Sequence, residues 1–347
     1  MKRTEDVAII GAGPAGAYCA LQLSKKGVYT TILDHSHPRE KPCAGGISPL
    51  VIEKFPFLEK FRSMGTIFRK LKIISCTNNQ VESKYLENGF RISRRFLDES
   101  ILNMATQNGA KLVKEKVIGI QKKGSLWKIK TNEGLLLARI LVGADGVNSI
   151  VRRTTIGPIS RENLALTFGY MTTSLEKEEA AIKFLSEIPG YIWVFPGNDY
   201  SNIGIGSELR YGSILKKLLD TFISSYCAQI SIISRYAAML PSAKNPEFFS
   251  LPIAGENWIL IGDAAGHVDP ISGEGILYAL WGGKLAAEAI KNNDLESYDN
   301  QWREEYGINL AERCKNRDLF YSPIGSMVSI FLGLTRGTYS LHKNKKE

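Results

Sequence analysis

Short apolar runs alternate with amphipathic stretches along the first half of the chain, in the rhythm of strands and helices. Val7-Ala8-Ile9-Ile10 is apolar throughout, as a strand covered on both faces should be. Residues 17–26 then read as a helix, and residues 29–33 as a second strand ending at Asp34. A helix carrying Arg94, Asp98 and Leu102 is predicted to run to about residue 107, followed by strands over 111–120, 127–131 and 135–142. Further strands are predicted over 71–76, 81–85, 164–172, 180–184, 191–195 and 201–207. Residues 258–261 form another apolar strand. A long helix over 273–291 carries Ile276, Ala279, Leu280, Leu285, Ala286 and Ala289 on its packed faces.

Three of these strands end in glycine-rich turns. Gly11-Ala12-Gly13-Pro14-Ala15-Gly16 follows the first strand and opens a helix, and Asp34 closes the next strand. Strand, tight turn, helix, strand and acid is the order a dinucleotide fold requires. Gly11 permits the turn, Gly13 lets the backbone approach a pyrophosphate, and Gly16 lets the helix pack closely, with Ala15 in its first turn. Asp34 is placed to accept ribose hydroxyls and to repel a 2′-phosphate. The second turn is Gly143-Ala144-Asp145-Gly146, and the third is Gly262-Asp263-Ala264-Ala265-Gly266 followed by Pro270-Ile271-Ser272-Gly273-Glu274-Gly275-Ile276. Taken singly, each of these two is an ordinary turn using Asp and Gly for their backbone tolerance.

All three in this order resemble the FAD-dependent family that includes para-hydroxybenzoate hydroxylase, flavin halogenases and geranylgeranyl reductases. The resemblance implies that Asp145 and Gly262 belong to the FAD site and that Asp263 meets the ribityl and pyrophosphate part. It also implies that the helix begun by Gly273, Gly275 and Ile276 points at the flavin's pyrimidine edge. Arg94 resembles the family's arginine that reaches towards FAD; a plain surface pair with Asp98 at i,i+4 is the rival reading. Two more segments resemble the geranylgeranyl reductase branch. Lys41-Pro42-Cys43-Ala44-Gly45-Gly46 matches its loop near the isoalloxazine, and Tyr191-Ile192-Trp193-Val194-Phe195-Pro196 matches the strand lining its substrate channel. Ala44 replaces a usual glycine, and Gly197 stands where a lysine is common.

The implied fold is α/β. A Rossmann-like FAD-binding domain (1–70, 91–155 and 256–292) is interleaved with an antiparallel-sheet substrate domain (71–90 and 156–255), and a helical C-terminal segment (293–347) follows. The implied activity is saturation of prenyl double bonds in an isoprenoid diphosphate or isoprenoid lipid. Cys43 then donates a proton or fixes geometry, against its bland reading as a small apolar filler. Tyr191, Trp193, Phe195 and Pro196 line an apolar tunnel, against a core role for the aromatics. His267 is a weaker proton-donor candidate, with an exposed loop histidine as the alternative. NAD(P)H or a small electron carrier is the expected electron donor. A flavin monooxygenase or halogenase on the same scaffold, and a redox sensor without turnover, are the competing readings.

Composition narrows these choices only a little. The 347 residues carry a net charge of +9, but the basic residues are dispersed and no nucleic-acid motif accompanies them. Phosphate-bearing substrates or anionic lipid surfaces are better uses of that charge, with a basic proteome or plain solubility as the bland alternative. The five cysteines (Cys19, Cys43, Cys76, Cys227 and Cys314) are scattered without CxxC spacing. They argue against a metal cluster or a disulfide framework and for a reducing, cytoplasmic location. The apolar stretch 319–341 fits either peripheral membrane docking or a cover over the enzyme's own core.

The purified protein is expected to be yellow, with FAD released on denaturation. Asp263→Ala should weaken FAD binding by about 1–3 kcal/mol, measured by flavin fluorescence titration. A colourless protein that takes up no FAD would overturn the reading.

Overall fold

The computed structural model describes residues 4–83, 89–175, 179–226, 230–323 and 325. The chain forms two compact units, each assembled from separated stretches. One comprises Met1–Cys43, Ser93–Leu166 and Ala238–Arg317; the other comprises Ala44–Ile92, Thr167–Ala237 and Asp318–Glu347.

The first unit is organised by five parallel strands, in the order Trp258–Leu260, Leu135–Gly143, Thr4–Ile10, Thr30–Leu33 and Lys111–Val113. Their register decides where the chemistry goes. Ile10 pairs with both Leu33 and Gly143, Gly143 pairs with Leu260, and Leu33 pairs with Val113. The carboxyl ends therefore stand in line, and all three glycine turns open on one edge of the sheet. Ligand crevices form at that edge in open α/β sheets.

Glycines hold this edge together by close backbone approach. Gly11 has φ +105°, and a Cβ there would stand 2.3 Å from Ala144 O. At Gly16 a Cβ would stand 2.0 Å from Gly11 O. The helix Pro14–Lys25 packs against Ile276–Lys291, where a Cβ on Gly283 would meet Ala15 O at 2.7 Å. No residue but glycine fits these three places without backbone movement.

The second unit carries most of a seven-stranded sheet. Its order is Ile232–Pro241, Leu164–Thr172, Ser201–Glu208, Gly190–Phe195, Glu179–Phe184, Lys70–Ile74 and Gln80–Ser83. Glu179–Phe184 pairs antiparallel with Gly190–Phe195 but parallel with Lys70–Ile74, so the sheet is mixed rather than purely antiparallel. Phe68, Leu71 and Ala180 form a core cluster there, with Ile73, Ile182 and Phe195 packed on it. Phe320 and Tyr321 lie 5.2 Å and 6.2 Å from the Phe184 ring, so the start of the apolar C-terminal stretch rests on this unit. Residues 326–347, including most of that stretch, lie outside the described residues.

Several elements depart from the sequence pattern. The strand expected over 111–120 is two strands, Lys111–Val113 and Val117–Lys123. No glycine or proline marks the break. It is fixed from a distance, because Lys116 N–H donates to Asn132 Oδ1 and Thr131 Oγ1 donates to Glu115 Oε2. The helix expected from 273 begins at Ile276, because Gly273 has φ +70° and cannot join it. The helix Gly212–Tyr226 went unread among the strands, although Leu215, Leu219 and Phe222 mark its buried face at helical spacing. The strand expected over 81–85 runs into residues outside the described ones, as does Cys227.

Gly283→Val should destabilise the protein by about 1–3 kcal/mol or more through overpacking of the helix pair. Gly134→Ala, where an added Cβ meets nothing within 4 Å, should stay within about 0.5 kcal/mol of wild type. Urea midpoints of the two variants measure the contrast.

Candidate functional site

The helix Pro14–Lys25 begins at a bare N-terminus. Gly13 is its N-cap and offers no side chain, Pro14 has no N–H, and the first turn holds no acidic residue. The amides of Ala15 and Gly16 therefore have no intrahelical acceptor. A Cβ on Gly13 would find only His37 Nε2 within 4 Å, at 3.8 Å, so the ground above the turn is open. Open amides, a helix dipole and no competing acid suit an anionic pyrophosphate.

Asp34 turns out to be more engaged than its ribose role suggests. Oδ2 accepts from Ala12 N–H at 2.8 Å and lies 2.8 Å from His37 Nδ1. Oδ1 accepts from Ser36 N–H at 2.7 Å, His37 N–H at 2.9 Å and Ser36 Oγ at 3.1 Å. Burial would raise its pKa, but the hydrogen bond and charge of His37, with the amide donors, hold the carboxyl well below the usual range.

The opposite ring nitrogen of His37 stands 3.5 Å from Asp98 Oδ2. Burial disfavours its charged form, yet the two flanking carboxylates raise its pKa above that of an ordinary histidine. Asp98 in turn grips Arg94 bidentately, with both hydrogen bonds at 3.0 Å. The pair is 3% and 1% exposed, so the surface ion-pair reading of Arg94 and Asp98 is wrong. Arg94 also reaches the Cys43 side chain; burial disfavours its charge, but Asp98 and Cys43 together raise its pKa. Asp34, His37, Asp98, Arg94 and Cys43 thus form one continuous chain of polar contacts.

The third turn lies beside the helix Ile276–Lys291. Gly262 has φ +59°, and a Cβ on it would stand 2.9 Å from Ala15 Cβ. Asp263 Oδ2 accepts from Lys41 Nζ at 2.9 Å, and its Oδ1 would stand 3.4 Å from a Cβ on Gly275. That helix, too, starts without a side-chain cap or an acid in its first turn. Asp269, which the sequence reading passed over, shapes the approach: Oδ1 accepts from Ile271 N–H, Ser272 N–H and Arg313. The second turn is different. Ser149 caps the helix Ile150–Thr155 by accepting from Arg152 N–H, and Asp145 accepts from Ser149 Oγ and from Ile150 N–H, so its carboxylate braces that cap. Burial raises its pKa above the usual carboxylate value.

Two buried groups near the third turn carry little obvious signal in sequence. Arg152 donates to Ala264 O and Ala265 O, and burial lowers its pKa to about 10. His267 is fully buried, not exposed; its Nδ1 lies 2.8 Å from Tyr306 Oη and its ring 4.3 Å from Trp302. Burial, with Arg152 and Arg303 nearby, lowers its pKa to about 3, so it is neutral and a poor proton donor at neutral pH.

In the second unit, Ala44 leads into Gly45, which has φ +74° and lies so close to Ile92 O that a Cβ would stand 2.3 Å from it. On Gly190–Phe195, Tyr191 and Phe195 are half-buried and Trp193 is buried. Trp193 Nε1 donates to Asn202 Oδ1 at 2.7 Å, and its ring lies over Gly204, where a Cβ would approach within 2.2 Å. Pro196 ends the strand's aromatic run. Among the described residues, no group of three or more His, Cys, Asp or Glu is placed to hold a metal, and no helix is long and apolar enough to cross a membrane. No disulfide involves Cys19, Cys43, Cys76 or Cys314.

A family model described as an FAD binding domain matches residues 4–66. Digeranylgeranylglycerophospholipid reductase 3 of Methanosphaera stadtmanae is 30% identical over 350 residues, covering 91% of this chain and 87% of the relative. The chain belongs to the geranylgeranyl reductase family. Menaquinone reductase of Mycolicibacterium smegmatis is 28% identical, covering 90% of this chain and 84% of its own. A geranylgeranyl bacteriochlorophyll reductase-like structure from Thermoplasma acidophilum superposes with a TM-score of 0.84 at 23% identity, over 96% of this chain and 92% of that one. As in other members, the cofactor is FAD, and the open amides at Ala15 and Gly16 fit its pyrophosphate.

His37 makes stability depend on pH. Its raised pKa means that its contribution is fully present below the unfolded value of about 6.5 and is lost as pH rises through the folded value. His37→Asn should therefore lower Tm by about 3–8 °C at pH 5.5 and by much less at pH 9.5. Equal losses at both pH values would show that the imidazole is uncharged in the folded state.

Proposed function

We propose that this flavoenzyme saturates isolated double bonds in the prenyl chain of an isoprenoid diphosphate or isoprenoid lipid. Relatives named digeranylgeranylglycerophospholipid reductase and menaquinone reductase support that substrate class. The observation that carries the chemistry is the contact between Cys43 and a buried arginine held through two of its nitrogens by Asp98. When bound and reduced, FAD supplies a hydride to one alkene carbon. The other carbon needs a proton, and the Cys43 thiol is the group assigned to give it; water then reprotonates the sulfur. Arg94 positions Cys43 and is itself held by Asp98, which His37 links to Asp34.

The first unit is assigned to the cofactor and the second to the prenyl chain. An isoprene offers no hydrogen bonds, so recognition rests on shape and apolar burial. Tyr191, Phe195 and Pro196 are assigned to the wall of that site. Trp193, on the same face of the strand, is assigned to that wall with them and is anchored by Asn202. On this reading Asp34 fixes the loop that meets the nucleotide, and Asp263 and the amides before Ile276 meet the ribityl and pyrimidine regions. NAD(P)H or a small electron carrier replaces the electrons between turnovers.

Anaerobic mixing of reduced holoenzyme with a geranylgeranyl substrate should reoxidise the flavin, and the product should gain two hydrogens per reduced bond. Reoxidation by O₂ alone, with oxygen or halogen in the product, would place the chain with the monooxygenases instead. Cys43→Ser and Cys43→Ala should keep FAD but slow alkene-dependent reoxidation by about 10²–10⁴, with substrate affinity little changed. Stopped-flow absorbance reads this directly; unchanged rates in both variants leave water as the proton source.

A further inference from the structure

Arg91 lies in the middle strand of a small three-stranded sheet, paired with Gly46 on one side and Thr66 on the other. It sits within Phe90-Arg91-Ile92, where both neighbours are buried, and is itself only 5% exposed. Its guanidinium donates from Nη1 to Tyr200 O at 3.0 Å and stacks over the Tyr200 ring at 4.0 Å. Nε is buried and has no hydrogen-bond partner. Among the described residues no carboxylate pairs with it.

Removing a guanidinium from water without a counter-charge is costly, and buried arginines are ordinarily paired. Arg94, three residues along, shows the ordinary solution in the same chain. Arg91 instead packs its head directly against backbone that carries no side chain. A Cβ on Gly197 would stand 2.0 Å from Arg91 Nη1, and one on Gly45 would stand 3.7 Å from Arg91 Cγ. Gly46 meets the Phe195 ring in the same way, at 3.2 Å from an added Cβ. The Gly45-Gly46 segment of the expected cofactor loop and Gly197, which directly follows the proposed wall residues Phe195 and Pro196, thus converge on one uncompensated cation. A carbonyl and an aromatic face satisfy part of the guanidinium and leave its charge unanswered.

We propose that Arg91 forms, with the Gly197 turn, a subsite for the phosphate or diphosphate head group of the prenyl substrate. A planar guanidinium with donors to spare suits a phosphate oxygen pair, and the adjacent half-buried Phe195 suits the first isoprene unit. The inference deepens the prenyl reductase reading and rests on it. It adds that the enzyme discriminates among prenyl compounds by the charge of the head group.

The test uses FAD-loaded wild type and Arg91→Gln, with Gly197→Ala as a second variant that crowds the guanidinium while keeping its charge. Three ligands are compared: geranylgeranyl diphosphate, a digeranylgeranyl glycerophosphate in detergent, and neutral geranylgeraniol. Arg91→Gln should raise KM for the phosphorylated ligands by about 10- to 100-fold, at least tenfold more than for the alcohol. Gly197→Ala should shift the same preference in the same direction. A loss confined to the diphosphate or to the glycerophosphate identifies which head group the site takes. Inorganic pyrophosphate should raise the Tm of wild-type holoenzyme but not that of Arg91→Gln. That readout needs no turnover, so it holds even if no prenyl chain is reduced. Equal losses on all three ligands, or a pyrophosphate shift that survives in Arg91→Gln, would overturn the subsite. A changed flavin potential with unchanged head-group preference would reassign Arg91 to the cofactor and also overturn it.

Discussion

The Asp34 carboxylate is the point on which the first unit's site depends. It accepts the Ala12 amide from the glycine turn, two amides and a hydroxyl from its own loop, and the His37 ring. A carboxylate has about four good acceptor positions, so this one is saturated by the protein. Its first task is therefore architectural: it ties the turn after Ile10 to the loop after Leu33. Through His37 that order reaches Asp98, then Arg94, then Cys43. The loop proposed to meet the nucleotide and the thiol proposed for catalysis are thus parts of one polar network. Such networks act as units in a low-dielectric interior, where breaking one member exposes the rest to the cost of an unpaired charge.

Much of this was legible in the sequence because it rests on local geometry. The apolar strands, the three glycine turns and the acid at position 34 are fixed by what glycine and acidic residues can do within a few positions. Other features depend on partners far along the chain. The break between Val113 and Val117 is held by Thr131 and Asn132, which no local pattern reveals. Asp145 is expected at the cofactor, and its carboxylate also accepts from Ser149 and Ile150 at the start of a short helix, a local use that the Gly-Asp turn alone does not reveal. His267 looked like a loop histidine and is walled in by Trp302 and Tyr306, residues from a segment that the sequence marked only as helical. Arg91 left one faint signal, a lone charge within an apolar triplet.

Buried and partly buried arginines are accommodated in two ways. Arg94 and Arg313 are paired with the carboxylates of Asp98 and Asp269. Arg152 in the first unit and Arg91 in the second instead meet backbone carbonyls and an aromatic ring. If the second unit takes the prenyl chain as proposed, it gains from having few fixed charges, because each would keep water in place.

Trp193 and Gly204 also bear on how this strand pair can change over generations. They are direct cross-strand partners, and the indole occupies the ground where a side chain at 204 would stand. Any lineage that enlarges position 204 first must lose the indole's seat, while one that first shrinks position 193 opens a hole against a bare glycine. Neither single step is neutral, yet the double change conserves volume. The pair is thus inherited as one character, and descendants altered at this strand pair should show both positions exchanged together.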